Sequence, residues 1–199
     1  MSERFEQAVR RFDEENARDP RRVELEGRQW PGGLVYARRM TEWLGRLEPG
    51  ASEVVKLAAR GQHIRRWEIP RESYPMDRVG YLKWRTDLGK FHARVAGEIL
   101  SEVGYDDATV ARVGALLRKE NIKGDPEAQL LEDVICLVFF ENYVGEFARG
   151  KDEGKLAGIV GKVWKKMSER GRAAAMGIAM SPEVRRVVER AVGGDGGCG

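Results

Sequence analysis

The chain has 199 residues, 34% of them charged and 42% apolar, and its 35 basic side chains nearly balance 32 acidic ones for a net charge of +3. Such a composition excludes a disordered chain and a membrane-spanning one, and predicts a soluble globule with room for a sizeable core. It makes no general case for nucleic-acid binding, so any positive field must be local.

Phe5, Val9 and Phe12, spaced by four and three, predict an amphipathic helix from Glu3 to Asn16. That opening stretch mixes charges of both signs and lacks the apolar centre of a secretory signal. The longest apolar run, Val134 to Phe140, is far too short to span a bilayer, so the expectation is a cytoplasmic protein without a membrane partner. Ala17 to Gly33 is polar and rich in turn formers and reads as a loop. A helix from about Leu34 to Leu47 stops at Pro49-Gly50. Ser52 suits the cap of the next helix, whose Val54, Val55, Leu57, Ala58, Ala59 and Ile64 form an apolar face running into His63.

Asp77 is placed to cap a long helix from Arg78 to Val103, with Leu88, Phe91, Val95, Ile99 and Leu100 as its buried stripe, His92 beside that stripe and Gly104 as its stop. Asp106-Asp107 begins a helix that turns Val110, Val113, Leu116 and Leu117 inward and ends near Asn121 to Gly124. Asp125-Pro126 is the N-cap and first-turn proline pattern for the most apolar helix, Leu130 to Tyr143. After Gly150 come a helix with Leu156, Ile159, Val160, Val163 and Trp164, the small-residue segment RAAAMGIAM, and a short helix from Ser181-Pro182. No alternation of strand length and no fixed repeat occurs. The predicted fold is all-α: a single domain over residues 1–192, about eight helices, with a disordered glycine-rich tail over 193–199. Of the two cysteines, Cys136 reads as a core thiol and Cys198 as an exposed, reducible one; they make neither a disulfide framework nor a zinc knuckle.

The densest concentration of chemistry lies between Gly61 and Arg85. There His63, Arg65, Arg66, Trp67, Arg71, Tyr74, Arg78, Tyr81, Trp84 and Arg85 share a segment broken by Pro70 and Pro75. Two readings stand: indoles in the core with arginines in water, or a bend that gathers the side chains into an anion-binding wall with Lys119 beside it. No phosphate loop, dinucleotide fingerprint, HExxH or GxSxG is present, which removes the commonest enzyme classes visible in sequence. His63, His92, Glu120 and Asp133 each lie on or beside an apolar helix face. They are candidates to converge on a divalent metal such as manganese, iron or zinc, against the plainer reading of hydrogen-bonded core residues.

The segments VKLAARGQHIRRW, KFHARVAGEILSEVGYDDATVARVGALLRKE and LLEDVICLVF, spanning roughly Leu34 to Phe140, resemble the HD superfamily of helical metal-dependent phosphohydrolases. The resemblance implies an HD-like bundle in which His63, His92 and Asp133 hold a metal, with Glu120 as fourth ligand or base. The arginines and Lys119 would then clamp the phosphate of a nucleotide or other small phosphorylated compound, and Trp67, Tyr74 or Trp84 would stack a base. Two slots depart from the pattern: Tyr36 in YARRM stands where the first histidine belongs, and Ile64 where the aspartate of the histidine-aspartate pair belongs. Asp133 matches the late aspartate only with a shifted register.

Through YARRMTEWL, QHIRRWEIPRESYPMDRVGYLKWR, LLRKE and LEDVICLVFFE the chain is also similar, from Phe5 to about Met180, to an uncharacterised family, domain of unknown function 4202. That family implies no reaction. The functional expectations are therefore a metal-assisted phosphohydrolase, or a non-catalytic HD-like module that binds a phosphorylated ligand or RNA. A domain whose arginines meet an acidic protein partner ranks third, and the oligomeric state is left open.

Overall fold

The structure, a computed structural model, describes residues 2–148 and 153–193. Cys198 and the glycine-rich tail beyond residue 193 lie outside the described residues, whereas Cys136 is buried as expected. The described residues are all-α in class and divide into two compact units, residues 1–131 and 132–199. They hold ten α-helices rather than about eight, together with three short 3-10 turns and one β-hairpin.

In the first unit the helices begin where short polar side chains can receive orphan amide protons. Ser2 caps α1 (Glu3–Asn16), which buries Phe5, Ala8 and Phe12. Ser52 caps α3 (Glu53–Gly61), after α2 (Gly32–Leu47). Asp77 caps α4 (Arg78–Glu102), and Asp106 caps α5 (Asp107–Leu117). Helix α6 (Pro126–Asn142) follows, and its residues from Glu132 on belong to the second unit. α3 packs on α1, α2 and α5, and α4 lies along α5 and meets α1. Leu57, Ala58, Ala59 and Ile64 are fully buried at this crossing.

The expected loop before α2 is instead a hairpin of β1 (Arg22–Leu25) and β2 (Arg28–Pro31), antiparallel with Val23 opposite Trp30. Glu26 and Gly27 take φ of 53° and 71°, the pair of positive values that a two-residue hairpin turn of the I′ kind requires. Four-residue strands and a Glu-Gly turn leave too short a pattern to register as alternation. The buried Asp19 carboxylate then accepts the Gly33 amide at 2.8 Å and ties the hairpin to the start of α2.

The second unit contains α7 (Val144–Ala148), α8 (Glu153–Trp164), α9 (Glu169–Met176) and α10 (Pro182–Gly193). α8 packs on α7 and α10, and Phe140 meets Trp164 edge to face at 6.2 Å. α9 takes in the first part of the segment RAAAMGIAM, read only as rich in small residues. Ser168 caps it, and both the amide and the hydroxyl of Ser168 donate to Asp133.

Between α5 and α6, Arg112 bridges Asp125 at 2.9 Å and Glu127 at 2.6 Å, while Asp125 accepts the Glu127 and Ala128 amides. The bond from Arg112 is the main reason the Asp125 carboxyl is held down to about 2. A carboxyl whose folded pKa lies below its unfolded value of about 3.9 contributes stability that is complete above that value and is lost as the pH falls toward the folded one. Asp125→Asn should therefore lose stability at neutral pH and show a shallower fall between pH 4 and pH 2, measured by urea unfolding at stepped pH.

Candidate functional site

The stretch after α3 cannot continue as helix, because Pro70 and Pro75 remove amide donors and bias their predecessors to extended backbone. Arg65 turns the chain through a left-handed conformation, φ 52°, into 3-10 turns at Arg66–Glu68 and Arg71–Ser73. The carbonyls freed in this way are taken up by side chains. The Arg71 guanidinium donates to Tyr74 O at 3.0 Å, Pro75 O at 2.7 Å and Asp77 O at 3.2 Å, and the Trp84 indole donates to Ile69 O at 2.9 Å. Tyr74 donates to Asp87, which also receives Lys83, and so fastens the segment to α4. Arg65 makes a two-point pair with Glu68. Arg71, Tyr74, Trp84 and Arg65 thus spend their polar groups on the bend itself; Trp67 is half-buried and Arg78 exposed.

What remains converges on His63. Its ring stacks on Tyr36 of α2, centroids 4.1 Å apart and planes 19° from parallel. Arg66 Nη1 lies 3.4 Å from His63 Nε2, so that nitrogen accepts from the guanidinium, whose carbon stands 4.7 Å over the Trp84 ring. Burial pushes the His63 imidazole well below its ordinary range, and the charges of Arg66, His92, Lys119 and Arg85 push the same way. Burial also draws Arg66 downward, with Tyr36 opposing and the cations Arg21 and Arg85 adding to the effect. His63 is therefore neutral at neutral pH, with part of its surface still reachable.

Arg71 is met by backbone carbonyls, and several arginines elsewhere in the chain sit against carboxylates, as at positions 11, 60, 65, 94, 112 and 118. Arg66 and Arg85 do not. Among the described residues the polar neighbour of Arg66 is His63, that of Arg85 is the Tyr81 hydroxyl at 3.4 Å, and neither guanidinium has a carboxylate.

His92 is buried with its ring 5.9 Å from that of His63. Its Nδ1 lies 2.8 Å from Ile64 O, and because a carbonyl only accepts, the proton is on Nδ1. Burial brings this imidazole down to about 4, and its Nε2 lone pair has no hydrogen-bond partner. Ile64, at the slot where an aspartate was expected, is buried and contributes its carbonyl instead.

Of the four residues expected to share a metal, His63 and His92 are neighbours in the first unit and the other two are otherwise engaged. Glu120 is exposed and paired with Arg118 at 2.6 Å. Asp133 belongs to the second unit and is engaged by Ser168. Among the described residues no group of three or more histidine, cysteine, aspartate or glutamate side chains is arranged to hold a metal ion. The surroundings of His63 are cationic and would repel a divalent ion, so the residues present do not fit one. One contributor escaped sequence reading: Tyr36 registered only as a missing histidine.

A family model described as Domain of unknown function (DUF4202) matches residues 6–188. No curated protein and no solved structure matches the chain. No helix among the described residues is long and apolar enough to cross a membrane.

The bend also depends on Gly80, whose amide donates to Asp77 at 2.7 Å and whose missing Cβ would run into the carbonyl of Pro75. Gly80→Ala should cost about 1–3 kcal/mol, the usual penalty of forced overpacking. Gly45→Ala, where nothing stands within reach of a Cβ on the exposed face of α2, should be neutral or stabilising by up to about 1 kcal/mol. Chemical denaturation of the two variants beside the parent chain distinguishes these outcomes.

Proposed function

The chain therefore belongs to the DUF4202 family, and on that premise we propose that the cluster of Tyr36, His63, Arg66, Arg85 and Lys119 binds the phosphate group of a small phosphorylated compound. The observation that carries this reading is the Arg66 guanidinium, 3.4 Å from the neutral His63 imidazole, with the positive charge of Arg85 acting on both and no carboxylate on either guanidinium. Desolvating a cation without a counter-charge is costly, and a phosphate supplies the missing charge in a form that the planar guanidinium fork matches at two points.

We read the first unit as an HD-like scaffold that keeps a ligand site without the metal. The order of its segments supports the likeness, and Tyr36 and Ile64 at the two departed slots support the loss. His63 and Tyr36 form the floor of the site, Arg66 and Arg85 hold the anion, and Lys119 adds to the field. The phosphohydrolase alternative needs a ligand set that these side chains do not assemble, and it becomes one outcome of the test.

Thermal stability should be followed with inorganic phosphate, nucleotides and sugar phosphates in metal-free buffer. Release of phosphate should be assayed in parallel with manganese, iron and zinc. The expected result is stabilisation without metal and without turnover. Arg66→Gln and Arg85→Gln should each weaken binding about tenfold or more, the usual scale for a lost hydrogen bond to a charged group. No stabilisation by any phosphorylated compound would defeat the proposal, and metal-dependent turnover would restore the hydrolase.

A further inference from the structure

We propose that the phosphorylated compound is a nucleotide, its base laid on the exposed ring of Tyr81 and its phosphate held between Arg66 and Arg85; this rests on the phosphate-binding reading above. Most aromatic rings of the Gly61–Arg85 wall and its floor already face neighbours or are tied down. Trp84 is buried, carries Arg66 at 4.7 Å and is anchored through its indole nitrogen. Tyr74 is held by Asp87, and Tyr36 carries the His63 ring. Tyr81 also has neighbours, Trp84 among them, but it is 41% exposed, the only aromatic among the exposed large hydrophobic side chains of the described residues.

Its position ties it to the phosphate cluster. Tyr81 and Arg85 are four residues apart on α4, hence on one face, and the Arg85 guanidinium stands 5.9 Å from the Tyr81 ring centroid while its Nη1 lies 3.4 Å from the Tyr81 hydroxyl. Trp84 links the ring to the other cation: its centroid lies 6.0 Å from that of Tyr81, and the Arg66 guanidinium stands 4.7 Å over it. Arg71, its donors taken by the bend, stands 6.0 Å from the Tyr81 centroid. A planar base on this ring would have the Arg85 guanidinium at its margin to donate to its ring nitrogens and carbonyls, and Arg85 would serve base and phosphate together. A sugar phosphate without a base would use only half of the arrangement.

Isothermal titration of the full chain with inorganic phosphate, ribose 5-phosphate and the four ribonucleoside 5′-monophosphates tests this. At least one nucleotide should bind tighter than ribose 5-phosphate by about 5- to 150-fold, the range expected for stacking one base on an aromatic side chain. The ratio of nucleotide to ribose 5-phosphate affinity should collapse in Tyr81→Ala and persist in Tyr81→Phe, both of which lack the hydroxyl that Arg85 meets while only the second keeps the ring. If no nucleotide exceeds ribose 5-phosphate, or if that ratio is the same in the two variants, the nucleotide assignment is overturned while phosphate binding stands. If none of the compounds binds, both readings fall together.

Discussion

The first unit depends on one buried guanidinium. Arg60, on the last turn of α3, donates to both carboxylate oxygens of Asp13 on α1 and to the Thr41 hydroxyl on α2 at 3.0 Å. With only 11% of its side chain exposed, it cannot lose these partners without leaving a charge stranded in the interior. Three helices are thereby held at a common point, one residue before Gly61, whose missing side chain faces the Phe12 ring and Ala96. From Arg60 the chain has three residues in which to reach His63 and four in which to reach Ile64. The placement of the imidazole over Tyr36, and of the Ile64 carbonyl against His92, follows from where α3 is pinned.

The chemistry of the cluster follows from its sign. A site that concentrates positive charge around a neutral imidazole favours anions and disfavours metal ions, and both consequences come from the same arrangement. The two histidines play different parts within it. His92 is oriented by a backbone carbonyl and acts as packing between α4 and the start of the bend, while His63 is oriented by Arg66 and keeps an accessible edge. The contrast could not be read from two letters in a chain, because it depends on which neighbour each ring nitrogen meets.

Much of the helical plan was legible because its signals are local. Ser52, Asp77 and Asp106 cap the helices that follow them, and each is recognisable within four residues of sequence. The hairpin was not legible, since its strands are four residues long and its turn uses glutamate where asparagine is the usual sign. α9 was missed because alanines and glycines show no amphipathic stripe, although Ser168 stood ready as its cap. The Gly61–Arg85 segment stood out by composition, yet which of its arginines would face the cluster depended on Glu68, on backbone carbonyls and on Tyr36, partners brought in by folding. Nor does anything local announce that Asp133 meets Ser168, thirty-five residues on.

Arg65 and Arg66 are adjacent in the chain and answer to different constraints. Arg65 occupies a left-handed backbone conformation, and its guanidinium is matched by Glu68, so glycine or asparagine would suit the backbone there and the lost pair lies at the surface. Arg66 has ordinary backbone, a tryptophan beneath it and no counter-ion, so even lysine would forfeit the planar contact. Within this family, drift at the first position beside constancy at the second would be the evolutionary trace of a ligand that only one of the two arginines meets.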